Sequence, residues 1–376
     1  MILWQSPSGN ISGAASRPTE KIGVIKMKIN MQHWAEEIIN AKDVRNLPVL
    51  YFPVLKDMDM SVPESVKDPV KIATVMKKVV EEYPDTIAAI TGMDLTVDAE
   101  AFGAEVNFSE RQAPNVVKHI INKADEIDSL VIPDIHSGRV DVFTHACVEA
   151  EKIIKDRPVF GGMLGPFSLA ANLLDINTCM LMTLKDKESL HKLIEKCNQW
   201  LINRALEYKK AGANGIFIAE PTAGLLSPKA CDEFSSSYIK RLADEVQDEH
   251  FFLVLHDCGR VTKSVESMYR TGCKGFHFGN GVNMTDILPQ MGQDVLVFGN
   301  LDPSSVFFMG TPDSVYEKTI QLLEEMKQYP NFVLSSGCDL APSVEAANLN
   351  AYYRACSDFN IKNGHPTSFD IAPFIE

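Results

Sequence analysis

The sequence lacks any apolar run that approaches the roughly 20 residues needed to span a membrane as a helix. Its first residues, Met1-Ile2-Leu3-Trp4-Gln5, also lack the basic start and the apolar stretch of a signal peptide. Cationic side chains are in deficit, with 36 Lys and Arg against 50 Asp and Glu, a net charge of −14. This balance argues against a surface for nucleic acid or anionic membrane. We therefore expect a cytoplasmic protein with neither as a partner.

A disulfide framework is not expected either, although the chain contains 8 cysteines. The chain is long, and most of its cysteines lie in helical patterns among apolar neighbours, where a free cysteine packs as a small hydrophobic residue. Cys258 and Cys338 differ from the others, because each ends a strand-like run beside Gly and Asp. These two are the cysteines to which we assign chemistry.

Cys258 forms a metal-site pattern with His256, because the two follow the apolar run of residues 251–255 as His-x-Cys. Side chains at i and i+2 of a strand lie on one face, about 6–7 Å apart along the chain, so Asp257 should point the other way. Cys338 ends a second such run and supplies a third ligand. Two cysteines and one histidine are typical of a catalytic zinc with one open position. The alternative, for each residue alone, is a buried thiol or a histidine whose hydrogen bonds are satisfied.

Short apolar runs alternate with amphipathic stretches along most of the chain. The runs span residues 48–52, 86–90, 158–162, 215–219, 251–255, 275–278, 294–298 and 332–334. Between the runs, Ser227, Thr311 and Ser343 each precede a helical pattern and should open a helix. Continuous apolar runs are typical of strands buried on both faces, and eight of them alternating with helices predict an α/β fold, a (β/α)8 TIM barrel.

The barrel prediction divides the chain into two parts. Residues 1–26 are rich in Ser, Gly and Pro and should form a flexible N-terminal extension, whereas residues 27–376 should form a single catalytic domain. The segment 93–114 is long for a connection between strand and helix, and we expect it to fold over the mouth as a hairpin or lid.

Active sites of such barrels lie at the carboxyl ends of the strands. Those ends carry Asp94, Glu220, His277, Asn300 and Asp302 in addition to the three proposed ligands. Asp94 and Glu220 are the catalytic candidates: Asp94 would orient the substrate or a ligand, and Glu220 would be a fourth ligand, a base or equally a structural cap. His277 either faces the mouth or packs inside, so Glu220, His277 and water all stay open as the fourth ligand. Asn300 and Asp302 should build a loop.

Four motifs in fixed order resemble one known family. They are His256-x-Cys258 with the distant Cys338, Gly299-Asn300-Leu301-Asp302-Pro303, Gly310-Thr311-Pro312, and Ser335-Ser336-Gly337-Cys338-Asp339-Leu340. Over about residues 30–376 the chain resembles the methylcobamide:coenzyme M methyltransferases of the uroporphyrinogen decarboxylase superfamily. The resemblance implies zinc as cofactor, a methylated corrinoid as methyl donor, a small thiol such as coenzyme M as acceptor, and a corrinoid protein as partner. The acceptor could equally be another thiol or a folate, and a homodimer is left open.

True uroporphyrinogen decarboxylases are the main alternative within that superfamily. Their substrate carries eight carboxylates, yet residues 51–57, after the first predicted strand, contain no arginine. Cys338 stands where the decarboxylases have a histidine, and Asn172 stands where they have a tyrosine, while the shared aspartate is retained as Asp94. The third hypothesis is a barrel that binds a corrinoid protein and has little or no catalytic activity.

Overall fold

Parallel strands that are apolar along almost their whole length form the centre of the protein. A computed structural model describes residues 28–110, 112–365 and 374. Its strands are β1 Ala89–Ile90, β2 Glu105–Ser109, β3 Gln112–Lys118, β4 Val159–Leu164, β5 Gly215–Ala219, β6 Phe252–Asp257, β7 Gly275–Phe278, β8 Leu296–Leu301 and β9 Phe332–Ser336. A curled sheet of 7 parallel strands has the order β1-β4-β5-β6-β7-β8-β9. Seven of the eight predicted strands are therefore confirmed.

The first predicted strand, at residues 48–52, is wrong. The chain instead pairs two residues earlier, where Asn46 forms isolated parallel bridges with both Thr86 and Leu334. Leu47 N donates to Leu334 O at 2.9 Å, so the segment lies along β9, one edge of the sheet. Pro48 has no N–H to donate to a ladder, which ends regular pairing there. A 3-10 helix then follows at Phe52–Met58.

Helices lie between the strands along the chain, as the alternating pattern predicts. They are α1 Met31–Asn40, α2 Val62–Ser65, α3 Pro69–Glu82, α4 Val97–Ala101, α5 Val140–Ile153, α6 Pro166–Leu174, α7 Ile176–Lys185, α8 Lys187–Ala211, α9 Pro228–Cys231, α10 Ser237–Val246, α11 Val265–Tyr269, α12 Met284–Ile287, α13 Pro312–Met326 and α14 Ala346–Lys362. A π-helical turn, Asp232–Ser236, joins α9 to α10. The predicted starts at Ser227 and Thr311 are confirmed, because both side chains cap their helices.

The last helix begins later than the sequence indicates. Ser343 was expected to open it, but Val344 N donates to Ala341 O in a turn, and α14 begins at Ala346. The inside of the curled sheet holds its own apolar cluster, which includes Trp34 of α1. The Trp34 ring lies 6.0 Å from Phe160 near the start of β4, so α1 fills the end of the sheet opposite the strands' carboxyl ends.

The segment predicted to form a hairpin or lid does form a hairpin. After α4, strands β2 and β3 pair antiparallel, and the hairpin extends to Lys118, beyond the expected end at residue 114. The Lys67 ammonium lies 3.8 Å from the centre of the Phe108 ring, which fixes the hairpin to the neighbouring loop. Phe102 lies before the hairpin and packs edge-to-face on Trp200 at 5.4 Å.

Among the described residues, no single helix has the length and apolar character to cross a membrane, and α6 with α7 meets that test only as a pair bent by 111°. The extension predicted for residues 1–26 lies outside the part of the chain that the structure describes.

A buried ion pair ties α8 to the loop side of the sheet. Arg204 Nε lies 3.3 Å from Asp98 Oδ1, an ion pair without hydrogen-bond alignment, and both side chains are 0% exposed. The other guanidinium nitrogens donate to Val140 O and to the Tyr208 hydroxyl. Asp98 also accepts from Leu164 N at 3.1 Å.

Replacing Arg204 by methionine should destabilise the protein strongly, because Asp98 would keep its buried charge without a cation. Breaking a buried pair in this way costs about 3–5 kcal/mol. We expect urea unfolding to show this loss, whereas Lys240→Met, which breaks an exposed pair with Asp244, should leave the midpoint unchanged. Equal midpoints for both variants would contradict a central role for the buried pair.

Candidate metal centre

Three potential ligands meet at the carboxyl ends of two parallel strands. His256 is the fifth residue of β6, Cys258 follows that strand, and Cys338 follows β9. Their ligand atoms all lie within 4.8 Å of one another. Parallel strands share one carboxyl edge, which brings residues 80 positions apart in sequence to one point. Asp257 does not join them: its carboxylate accepts from Gly259 N at 2.7 Å.

The spacing of the three side chains fits a tetrahedral zinc. Zinc binds nitrogen at about 2.0–2.1 Å and thiolate sulfur at about 2.3 Å, so two such ligands on one ion lie roughly 3.5–3.8 Å apart. His256 Nε2 lies 3.7 Å from Cys338 Sγ. The donor set, one imidazole and two sulfurs, is also the set that zinc prefers.

The Cys258 and Cys338 sulfurs lie within 4.8 Å of each other, and their pKa values shift in opposite directions. A hydrogen bond from the Cys338 thiol is the largest of the effects that lower the pKa of Cys258. The same hydrogen bond, and then burial, raises the pKa of Cys338. One thiolate beside one thiol is therefore the expected state without metal, and a cation between them would favour both as thiolates.

His256 is held from behind by a second histidine that pairs with it in register across β6 and β7. His277 Nδ1 lies 2.6 Å from His256 Nδ1, and its Nε2 lies 2.9 Å from the Ser335 hydroxyl. Ser335 Oγ in turn lies 2.6 Å from Leu47 O. Burial lowers the pKa of His277 well below its ordinary value, so the ring is neutral. Of the two places expected for His277, the structure shows the interior, behind the ligand.

Glu220 lies directly after β5, and its carboxylate is occupied by donors. Its oxygens accept from Phe167 N at 2.8 Å, Ser168 N at 3.1 Å and the Ser235 hydroxyl at 3.0 Å. Burial raises the pKa of Glu220 to about 7, although those hydrogen bonds lower it. The two N–H groups belong to the first turn of α6, so the contacts match the structural alternative, a helix cap. Its catalytic role stays a prediction.

Asp94 is also fully buried and fully bonded. One oxygen accepts from Thr96 N at 3.0 Å and the other pairs with the Arg139 guanidinium. Arg139 also pairs with Glu100 at 2.7 Å and donates to Val66 O, so one cation joins the loops after β1 and before α3. Sequence reasoning missed Arg139, since nothing near it in sequence indicates a carboxylate partner.

The loop around Cys258 depends on glycines and an amide. A Cβ at Gly279 would lie 2.5 Å from Cys258 Cα, so only glycine permits this approach. Asn300 donates to Gly279 O at 3.0 Å and to Val282 O at 2.8 Å. Asp302 accepts from Ser304 N and caps the next turn. The expectation that Asn300 and Asp302 build a loop is confirmed.

Comparison with known families agrees with this geometry. The family model for uroporphyrinogen decarboxylase (URO-D) matches residues 42–359. The chain belongs to the URO-D family. The match contains all three residues of the candidate metal centre and the strands that position them.

Relatives within the URO-D family include methyltransferases. The methylcobamide:CoM methyltransferase MtbA of Methanosarcina acetivorans is 27% identical over 306 residues, 79% of this chain and 87% of the relative. A uroporphyrinogen decarboxylase of Pseudoalteromonas translucida is 23% identical over 290 residues, 73% of this chain and 79% of the relative.

A solved methyltransferase from Methanosarcina mazei superposes with a TM-score of 0.78 at 24% identity, covering 88% of this chain and 99% of the other, which shows a shared fold. Together with MtbA, the matches confirm the resemblance expected from the motifs.

Replacing Glu220 by alanine distinguishes a structural cap from a fourth zinc ligand. As a cap, its loss would leave the buried Phe167 and Ser168 N–H groups unsatisfied, at about 1–3 kcal/mol each, while zinc affinity changes less than about threefold. Urea unfolding and competition with a chromophoric chelator measure the two effects. Asp302→Ala, which removes a more exposed carboxylate cap, is the matched control. A loss of zinc affinity with unchanged stability would instead make Glu220 a ligand.

Proposed function

We propose that the protein is a zinc-dependent methyltransferase that moves a methyl group from a methylated corrinoid, carried by a corrinoid protein, to a small thiol such as coenzyme M. The observation that carries the proposal is the convergence of His256, Cys258 and Cys338 at one strand edge. The methylcobamide:CoM methyltransferases among the relatives support the donor and the acceptor class.

The three side chains would hold the zinc, which when bound supplies the Lewis acidity that keeps an acceptor thiol ionised near neutral pH. His256 would bind through Nε2, the ring nitrogen that lies 3.7 Å from Cys338 Sγ. Cys258 and Cys338 contribute negative charge, which preserves electron density on the acceptor sulfur. In the reaction a sulfur–carbon bond forms, the cobalt–carbon bond breaks with its electron pair left on the corrinoid, and the thiol proton passes to solvent.

Decarboxylation of a porphyrinogen is the second candidate, because decarboxylases also occur among the relatives. A substrate rich in carboxylates needs cations near the site. The segment after the Asn46 bridge, where that family places arginines, is the helix Phe52–Met58, whose Phe52, Val54 and Leu55 side chains are buried. Its basic residue, Lys56, is exposed and pairs with Glu345 at 3.3 Å. These contacts favour methyl transfer.

The wider architecture is proposed on the same grounds. We propose that the segment around Asn46 takes the place of the eighth strand, because it bridges both edges of the sheet, and that residues 27–376 act as one catalytic domain. A homodimer and a cytoplasmic location stay predictions.

Zinc content is the most direct test of the proposed centre. We expect about one zinc per chain, lost in Cys258→Ala and in Cys338→Ala, with circular dichroism and melting temperature nearly unchanged, because an open site does not hold a large α/β fold together. Cys273→Ala, which changes a buried cysteine outside the centre, should retain its zinc. An active preparation free of transition metal would contradict the proposal.

Turnover distinguishes the two candidate reactions. We expect demethylation of methylcob(III)alamin by one or more small thiols and no decarboxylation of uroporphyrinogen. The two cysteine variants should lose at least about 100-fold of the methyl transfer rate, since each removes a ligand. Decarboxylation that survives in both variants would instead identify a metal-free decarboxylase.

The hairpin of β2 and β3 is the proposed contact for the corrinoid protein. Phe102 is a poor probe because it packs on Trp200, whereas Val117 of β3 is 53% exposed. Val117→Arg should slow transfer from protein-bound corrinoid about tenfold, equivalent to ~1.4 kcal/mol of docking energy, and transfer from free methylcobalamin less than about twofold. The control is Ile361→Arg, because Ile361 is 60% exposed near the end of α14. Equal losses with both donors would indicate that the hairpin supports the sheet and does not contact the corrinoid protein.

A further inference from the structure

His277 and Ser335 are two buried polar side chains for which neither the proposed ligand set nor the proposed reaction provides a role. Both are 0% exposed, and both lie inside the curled sheet rather than at its mouth. The His277 ring lies between Phe217, with centroids 5.9 Å apart, and Phe298, with centroids 6.4 Å apart. A polar pair in such an apolar layer costs free energy unless every hydrogen bond is made.

We propose that His277 and Ser335 are positioning residues that fix the tautomer and the direction of the His256 ring, so that its Nε2 faces the two sulfurs without a proton. The inference rests on the proposed function only in taking His256 as a zinc ligand. The assignment of a proton to one nitrogen of each ring follows from the hydrogen bonds.

The assignment starts at the Leu47 carbonyl oxygen, which can only accept a hydrogen bond. Leu47 O lies 2.6 Å from Ser335 Oγ, so the serine hydroxyl must donate its one hydrogen to that carbonyl. Ser335 Oγ therefore has only lone pairs to offer to His277 Nε2, which lies 2.9 Å away, so this nitrogen must be the donor. A neutral His277 with its proton on Nε2 has a bare Nδ1.

The last link joins the two rings. His277 Nδ1 and His256 Nδ1 lie 2.6 Å apart, a distance that requires one hydrogen between them. Since His277 Nδ1 is bare, His256 supplies that hydrogen from Nδ1. His277 O, 3.2 Å from His256 Nδ1, is a second acceptor that favours the same arrangement. A second proton on His277 would instead bury a charge between two phenylalanine rings.

The consequence lies on the opposite side of the His256 ring. With its proton on Nδ1, His256 keeps a lone pair on Nε2, the atom 3.7 Å from Cys338 Sγ. A ligand histidine usually needs a partner for its other N–H, and loss of that partner lowers metal affinity about 10–100-fold. Here the partner is the His277 ring, whose proton is held on Nε2 by the Ser335 hydroxyl and, through it, by Leu47 O.

Three substitutions separate positioning from packing. His277→Phe keeps a ring of similar volume and removes the Nδ1 acceptor. We expect zinc affinity to fall about tenfold, the lower end of the range, because the backbone carbonyl oxygen of residue 277 remains as an acceptor. His277→Asn keeps an oxygen near the position of Nδ1 and should restore the affinity to within about threefold of the original. Ser335→Ala leaves the His277 ring in place but frees its tautomer, and should also weaken zinc binding.

Ser336→Ala is the matched control for Ser335→Ala. Ser336 is the next residue of β9, is equally buried, and its hydroxyl accepts from Val49 N at 3.0 Å in the same segment. The substitution therefore removes a comparable hydrogen bond of the hydroxyl, while the Ser336 backbone, which interacts with His277, is kept. Ser335→Thr, which keeps the hydroxyl, should behave as the unchanged protein, and melting temperatures check that each variant is folded.

The deciding measurement is the ring-nitrogen NMR spectrum of the full chain labelled with ¹⁵N-histidine, after removal of metal by a chelator. We expect opposite tautomers, with the proton on Nδ1 in His256 and on Nε2 in His277, and we expect Ser335→Ala but not Ser336→Ala to disturb this pattern. A proton on Nε2 of His256, or equal spectra for the two alanine variants, would overturn the inference. Absence of zinc binding beside the expected tautomers would instead refute the proposed function and leave the inference standing.

Discussion

The backbone of residues 45–47 joins the two edges of the sheet, and the site depends on that junction. Asn46 bridges Thr86 beside β1 and Leu334 in β9. Leu334 N donates to Arg45 O, so the pairing runs in both directions along β9. The same segment presents Leu47 O to Ser335, from which the hydrogen bonds lead to His256. A short stretch that forms no regular strand thus holds the sheet curled and also contacts the polar layer beneath the candidate metal centre.

Burial explains why the two carboxylates near the site have structural partners. Asp94 lies against Arg139, and Glu220 accepts from the first turn of α6. An ionised carboxylate removed from water needs such partners, and these are supplied by the connections that carry the strand ends. The sulfurs of Cys258 and Cys338 are different, because their side-chain partners are each other and His256. Of the strand-end groups, these three have the arrangement that a cation would complete.

Periodicity predicted the fold well wherever one strand's own residues decide its structure. Runs such as 215–219 and 332–334 became strands because they are apolar on both faces. The prediction was wrong at residues 48–52, where Pro48 prevents regular pairing and the chain bends into a 3-10 helix. It placed the start of α14 too early, since a turn at 341–344 delays the helix. In both places a single proline or turn outweighs the local sequence pattern.

The sequence by itself determined the identity of the candidate ligands, since His-x-Cys at a strand end fixes two side chains on one face and the distant cysteine ends a matching strand. It also determined the sequence of strands and helices, because hydrophobic periodicity is local. Only the tertiary structure decided the partners of these groups. His277 meets His256 through strand register, Ser335 meets Leu47 across 288 positions, and Arg139 meets Asp94 across 45. Such contacts follow from how strands curl and loops meet in space, and nothing in the neighbouring residues of the chain encodes them.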